Sequence, residues 1–230
     1  VRIVVLTGAG ISAESGLATF RDAGGLWEGH DIADVATPEG FARNPDTVLA
    51  FYDARRSAAA SARPNAAHEA LARLEQALGD DLLVVTQNVD DLHERAGTTR
   101  LIHMHGELHK ALCGRCGART PWIGDLGGRP ECPHCGARAL RPDVVWFGEM
   151  PYGLERIEEA VSRCDAFVSI GTSGDVYPAA GYAALAAVSG ARTVELNLVP
   201  SDPVIPFDEV RVGPATVVVP AWVDDTLAAR

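Results

Sequence analysis

The chain has 230 residues, is 47% hydrophobic and carries a formal net charge of −11, the composition of a globular protein with ample material for a core. No run approaches the ~18 to 20 apolar residues of a membrane span. The acidic balance argues against broad binding to nucleic acid, which needs a basic surface. Basic protein segments remain compatible partners, and a cytoplasmic location is the default expectation.

Taken in order, Arg2 to Thr7 reads as a buried strand, and Val1 already stands at it, so a short leader is expected ahead of it. The strand runs into Gly8-Ala9-Gly10-Ile11-Ser12-Ala13-Glu14-Ser15-Gly16, a glycine-rich turn before a helix start. Glycines let the backbone turn sharply and approach a pyrophosphate, and a helix N-terminus offers it N–H groups. The Gly8-x-Gly10-x-x-Ala13 spacing fits a relaxed dinucleotide fingerprint. A dehydrogenase would add a second strand ending in an acid about 20 residues on. Here Thr19-Phe20-Arg21 opens a loop-like stretch through Trp27, and the next clear strand begins at Leu82.

Residues 28–65 read as an insertion of helical character, one piece from Pro38 and a second over Asp46 to Arg56, with Asp46 able to cap it. Tyr52 and Arg55 are three apart and share a helix face. A guanidinium beside a phenol can receive a carboxylate. Spacing alone favours Tyr52 packing in the core and Arg55 as a solvated surface charge. Ala66 to Leu78 is an amphipathic helix with Leu71, Leu74 and Leu78 on one stripe, stopped by Gly79, and His68 in it is expected to be structural.

The run Leu82 to Val85 suits a buried parallel strand, and it ends in Thr86, Gln87, Asn88 and Asp90. Such polar tips at carboxyl ends are where open α/β sheets bind ligands, and amide side chains suit a carboxamide-bearing heterocycle. The same residues are also good helix caps. His103 and His105 follow.

Cys113-x-x-Cys116 and Cys132-x-x-Cys135 are two knuckles separated by fifteen residues, the spacing of a four-thiolate zinc ribbon. A disulfide pair is the alternative in an oxidising compartment. Four thiolates leave no position for water, so the metal is expected to be structural. Leu140 to Glu149 is extended, and Glu155 to Cys164 a helix in which Cys164 is a small buried residue. Ala166 to Ile170 is a strand ending in Gly171-Thr172-Ser173, and Pro178 to Val188 a helix. Arg192 to Leu198 is a strand tipped by Asn197, and Ala215 to Val219 a last strand before a terminal helix. The alternation predicts an α/β fold, a doubly wound parallel Rossmann-like sheet over 1–28, 66–110 and 140–230. A helical insertion (29–65) and a smaller zinc ribbon (111–139) complete a single catalytic domain.

Together, Gly8 to Gly16, Thr19-Phe20-Arg21, Thr86 to Asp90, His105-Gly106, the four cysteines, Val145-Trp146-Phe147-Gly148-Glu149, Gly171-Thr172-Ser173 and Asn197-Leu198 resemble the sirtuin family, in the family's order along the whole chain. The resemblance implies an NAD-dependent protein-lysine deacylase that consumes NAD and leaves the acyl group on ADP-ribose. It implies that His105 is the general base and that Asn88 and Asp90 position the nicotinamide end and the attacking water. Gln87 and Val89 would meet the ribose side. Gly8, Ala9, Gly10, Ser12, Glu14, Thr19, Phe20, Arg21 and Trp27 would line the cofactor channel, and Gly171, Thr172, Ser173, Asn197, Leu198, Val199 and Ala215 would hold the adenosine half. Val145, Trp146, Phe147, Gly148 and Glu149 would pair with the peptide as an added strand. Tyr52 and Arg55 match the pair that the acidic-acyl branch places at the end of its acyl pocket, implying removal of succinyl or malonyl as well as acetyl groups. Ala18 stands where the family often has proline. The partners implied are acylated lysine segments of proteins, with a monomer favoured. An ADP-ribosyltransferase, which breaks the same bond, and a non-catalytic zinc-ribbon binding module are the rival readings.

Overall fold

The computed structural model describes residues 1–19, 26–27 and 29–229, with the backbone alone at 26 and 27. Strand β1 (Ile3–Thr7) enters two 3-10 turns, Ala9–Ile11 and Ala13–Ser15, where an α-helix was expected. The hairpin β2 (Leu26–Trp27) and β3 (His30–Asp31) leads to three helices, α1 (Ile32–Val35), α2 (Pro38–Arg43) and α3 (Pro45–Ser61). The cap of α3 is Asn44, whose side chain accepts from the Thr47 N–H at 3.2 Å; Asp46 lies inside the first turn and pairs with Arg129 instead. With proline at the first helical position, Asn44 is the residue left in a non-helical conformation, which is what a cap requires.

Helix α4 (Ala66–Leu78) starts at a reciprocal box. The Asn65 side chain accepts from the helix backbone while His68 Nδ1 accepts from the Asn65 N–H. Then come β4 (Leu82–Thr86), α5 (Leu92–Ala96), β5 (Leu101–His103) and an antiparallel trio, β6 (Gly106–Cys113), β7 (Arg119–Pro121) and β8 (Leu140–Val144). Helix α6 (Leu154–Arg163), β9 (Ala166–Ile170), α7 (Tyr182–Val188), β10 (Arg192–Asn197), β11 (Glu209–Val212) and α8 (Ala215–Ala228) follow.

The six strands of the main sheet are parallel, in the order β11-β10-β9-β1-β4-β5. From β1 the chain moves outward one way to β4 and β5, then returns to build β9, β10 and β11 on the other side. The reversal between β1 and β9 opens a crevice at the carboxyl ends of these strands. Both sheet faces are covered, so alternate β1 residues serve separate cores. Ile3 and Val5 pack with α4 and α8 residues such as Leu71, Leu74, Val219 and Trp222; Val4 and Leu6 pack with Ile157 and Val161 of α6 and Tyr182 of α7. Fully burying each such leucine or valine is worth about 1.5–3 kcal/mol. Among the described residues no helix is long and apolar enough to cross a membrane.

The strand expected at Ala215–Val219 is the first turn of α8. Its β-branched run looks strand-like, but Ala215, Val218, Val219, Trp222 and Val223 are buried at helical spacing, while Val217 between them is 62% exposed. The edge position in the sheet belongs to β11, which precedes it.

The tips of β1 and β9 meet at backbone distance. A Cβ on Gly10 would lie 2.7 Å from the Gly171 Cα, and one on Gly171, whose φ is +59°, would lie 2.5 Å from the Ile11 nitrogen. Gly171→Ala is therefore expected to lower the unfolding free energy by about 2–4 kcal/mol. An unchanged urea midpoint would show that the two tips need no such contact.

Candidate active site

Three strand tips are fastened to one another at the crevice. The Gly8 N–H donates to the Ile170 carbonyl at 2.9 Å, Gly10 N–H to Gly171 at 2.8 Å and Gln87 N–H to Thr7 at 2.9 Å. Side chains complete the lattice. Asn88 Nδ2 donates to the Gly8 carbonyl and to Ser12 Oγ, both at 3.1 Å, and Ser12 Oγ donates to Asp90 Oδ2 at 3.1 Å. Gln87 Nε2 reaches Thr172 Oγ1 at 3.0 Å, and Asn197 Nδ2 the Thr172 carbonyl at 2.8 Å. Both amide hydrogens of Asn88 are thus engaged, and its side chain offers an acceptor oxygen. Glu14 caps α8, accepting from the Thr216 N–H at 2.9 Å and hydroxyl at 2.7 Å.

The backbone just beyond β4 also orients two histidines. His105 Nδ1 lies 3.2 Å from the Gln87 carbonyl and His103 Nδ1 lies 3.0 Å from the Asn88 carbonyl. A carbonyl only accepts, so each Nδ1 carries a proton; in His105 this leaves the lone pair on Nε2, whereas the Nε2 of His103 faces the Glu94 carboxylate and donates to it. Burial lowers the proton affinity of His105, which the Gln87 bond only partly restores. His103 has the opposite fate. Burial works against its charge, but Glu94, 2.7 Å from its Nε2, prevails and raises its pKa. His105 is held where the chain passes from the main sheet to the antiparallel trio. Its neighbour Gly106 has φ +80°, and any Cβ there would meet the Asp143 carbonyl at 2.0 Å.

Behind this lattice lies a buried polar layer. His68 sits under Ser12, with burial pushing its pKa down to about 4, and its ring meets that of His93 edge-on at 5.0 Å. His93 Nε2 is 3.0 Å from Thr7 Oγ1 and is likewise held neutral by burial. Burial raises the pKa of Asp90, although the Leu92 N–H and Ser12 bonds oppose it. His68 is thus a cap and packing residue, as expected.

At the far end of the crevice Tyr52 and Arg55 project from α3. Tyr52 is completely buried; its phenol oxygen accepts from Trp146 Nε1 at 2.9 Å, and burial raises its pKa, so it stays a neutral hydroxyl. The adjacent Arg56 is structural. Its Nε donates to the Leu108 carbonyl at 2.8 Å and its Nη1 pairs with Asp53 at 2.7 Å, while Asp53 accepts from the Leu126 and Gly127 N–H groups. The helix that presents Tyr52 and Arg55 is thereby pinned to the loop between the cysteine knuckles.

One cavity of about 790 Å³ joins these features. It is lined by Gly8, Ala9, Gly10, Ser12, Glu14 and Thr19 of the first loop, by Gln87, Asn88, Val89, Asp90 and His105, and by Gly171, Thr172, Ser173, Asn197, Leu198, Val199 and Ala215. Tyr52, Arg55 and Val145 to Glu149 also line it. The four cysteines lie apart from it. Their sulfurs are all within 4.8 Å of one another, with Cys113–Cys135 at 3.7 Å and Cys116–Cys132 at 3.8 Å. These are not disulfides. Tetrahedral Zn–S bonds of ~2.3 Å place thiolates about 3.8 Å apart, so the donor set fits one structural zinc ion.

A family model described as Sir2 matches residues 8–178. The chain belongs to the Sir2 family. A protein of Pasteurella multocida named NAD-dependent protein deacylase is 59% identical over 225 residues, covering 96% of each chain. One of Salmonella typhimurium with the same name is 58% identical over 229 residues, covering 98% of this chain and 84% of its own. Among solved structures, a Sir2 homologue in complex with NAD has a TM-score of 0.90 at 38% identity, covering 99% of this chain and 90% of that one. Sir2 bound to an acetylated peptide has a TM-score of 0.83 at 27% identity, covering 98% and 93%.

For this Sir2 chain, the glycine fingerprint has a different immediate cause from the one its spacing suggests. The glycines let two strand tips touch, and the expected α-helix is replaced by 3-10 turns. The stretch expected to be extended to Glu149 leaves the strand at Val144. The Val145, Phe147 and Glu149 N–H groups bond to the His105, Ala36 and Trp146 carbonyls, and the Trp146 N–H bonds to the Glu149 carboxylate. Those N–H groups already have partners, so an added peptide strand would draw on carbonyls here. Phe20 and Arg21 lie outside the described residues, as does the Trp27 side chain. The cavity also uses Ala58, Leu108, Tyr177 and Pro214, which sequence reasoning missed. Ala58 and Leu108 carry no local signal; Tyr177, an aromatic residue 72% exposed just past the Gly171 tip, does.

Removing the zinc with a strong chelator is expected to lower the melting temperature by roughly 10 °C, because the metal closes the loops that hold α3. Elemental analysis should find one zinc per chain in the wild type and none in Cys132→Ala. A metal-free chain with full thermal stability would contradict this.

Proposed function

We propose that the chain is an NAD-dependent protein-lysine deacylase that accepts acetyl and acidic (succinyl or malonyl) groups. The observation that carries the reading is that one cavity is lined both by glycine turns and amides and by Tyr52 and Arg55, with His105 in the same wall. Bound NAD supplies a ribose–nicotinamide bond that yields to the acyl-lysine carbonyl oxygen, and ADP-ribose finally carries the acyl group.

The rest of the chemistry belongs to this chain's side chains. Gly8, Gly10, Gly171 and the side chains of Ser173 and Asn197 would hold the cofactor's phosphates and adenosine without adding charge. Asn88 presents its amide oxygen and Asp90 its carboxyl group toward the nicotinamide end, where a neutral carboxamide needs one acceptor and one polar partner. His105 accepts a proton at Nε2 from a ribose hydroxyl, since Nδ1–H is committed to the Gln87 carbonyl. Its lowered proton affinity keeps it a free base near neutrality.

At the other end Leu108, Val144 and Trp146 make an apolar passage for a lysine stem. A carboxylate on the acyl group meets the Arg55 guanidinium and the neutral Tyr52 phenol. Lysine segments of proteins are the partners we propose, in keeping with the net charge of −11, which repels nucleic acid. Four zinc-holding thiolates suit a reducing compartment such as the cytoplasm.

Arg55→Met is expected to reduce desuccinylation relative to deacetylation of the same peptide by about 100-fold, the loss of a charge-assisted bidentate contact. An unchanged ratio would remove the acidic-acyl assignment. The acidic limb of the kcat/KM profile should fall below pH 6.5, the ordinary imidazole value, since burial lowers the pKa of His105. A limb at or above 6.5 that persists in a His103→Gln variant would rule out His105 as the base.

A further inference from the structure

The Tyr52 hydroxyl is the only part of the acyl-recognition pair that can either donate or accept, and a succinyl carboxylate binds only the donor form. Its state is set by Trp146. The indole N–H is a donor with no acceptor capacity, and it points at the phenol oxygen at 2.9 Å with both residues buried. A phenol hydrogen stays close to the ring plane, on one side of the C–O bond or the other. A donor arriving on one side favours the hydrogen on the opposite side.

The indole has little freedom to turn away. Arg141 Cζ lies 4.1 Å from the Trp146 ring centroid, and its Nη2 pairs with Glu149 Oε1 at 2.6 Å. Glu149 Oε2 accepts from the Trp146 backbone N–H at 2.9 Å. Phe41 also packs against the indole at a centroid distance of 5.1 Å. The positively charged guanidinium over the ring also draws density from the indole and strengthens its N–H as a donor.

We propose that Trp146 is a positioning residue for acidic-acyl specificity, fixing the Tyr52 hydroxyl as a donor toward the acyl carboxylate. The inference rests on the acidic-acyl reading of Tyr52 and Arg55. An acetyl group has no carboxylate to address, so the effect is read in the succinyl-to-acetyl ratio, in which any loss common to both substrates through the lysine passage cancels.

The test is a double-mutant cycle on that ratio, from kcat/KM of one lysine peptide in its succinylated and acetylated forms. Trp146→Phe and Tyr52→Phe are each expected to lower the ratio about three- to tenfold, chiefly through the succinyl KM, the scale of one oriented hydrogen bond. In the Tyr52→Phe background, Trp146→Phe should change the ratio by less than about twofold, because the hydroxyl it positions is gone. Equal falls in both backgrounds, or no fall on Trp146→Phe alone, would overturn the proposal. A ratio indifferent to both Tyr52→Phe and Arg55→Met would instead overturn the pocket reading beneath it. A second measurement does not depend on how Trp146→Phe folds. In the Tyr52→Phe protein, the 15N–1H resonance of the Trp146 indole should move upfield on losing its acceptor, and an unmoved resonance would show that the bond is absent.

Discussion

The contact between the Gly8–Gly10 turn and Gly171 is the constraint on which the rest of the site depends. Two strand tips that are neighbours in the sheet approach to backbone distance, and no side chain fits between them. This closeness lets Asn88 reach the Gly8 carbonyl and Ser12, and lets Gln87 reach Thr172, so that three loops become one rigid wall. The same β4 extension that supplies Gln87 and Asn88 also supplies, through their carbonyls, the acceptors that set the tautomer of His105 and orient the ring of His103. One set of backbone contacts therefore fixes both the shape of the amide-lined wall and which nitrogen of His105 carries the proton.

The other end of the cavity is built by different means. Its residues come from α3 and from the turn after β8, which meet in one apolar cluster while Arg56 and Asp53 tie α3 to β6 and to the loop between the cysteine knuckles. The cysteine ribbon thus supports this part of the cavity at a distance, through the loop that Asp53 holds. The carboxyl ends of internal strands build the amide-lined wall of the cavity, and a stapled helical insertion contributes Tyr52 and Arg55.

Much of this was legible in the sequence where local chemistry and tertiary role coincide. The apolar runs of β1, β4, β9 and β10 are buried on both sides and read as strands directly; the cysteine spacing fixes the sulfur cluster; small and amide residues mark the three tips. Legibility failed where a tertiary contact decides. Nothing local distinguishes Ala215–Val219 as helix from strand, because its β-branched residues favour a strand and only packing on α4 selects the helix. Asn44 displaced Asp46 as a cap because Pro45 claims the first helical position. The three-residue β5 and the half-exposed β11 are too short and too weakly patterned to announce themselves. The Trp146–Tyr52 bond joins residues 94 positions apart and has no signature in either neighbourhood.

The central claim is that both ends of one cavity are occupied in a single reaction, so cleavage of NAD and loss of the acyl group must be coupled. The most direct test is their stoichiometry, with nicotinamide, deacylated peptide and acyl-ADP-ribose quantified together by mass spectrometry for acetylated and succinylated forms of one peptide. The account predicts equal amounts of the three from either form, and none without NAD. Nicotinamide released while the peptide keeps its acyl group, or ADP-ribose found on protein, would contradict it.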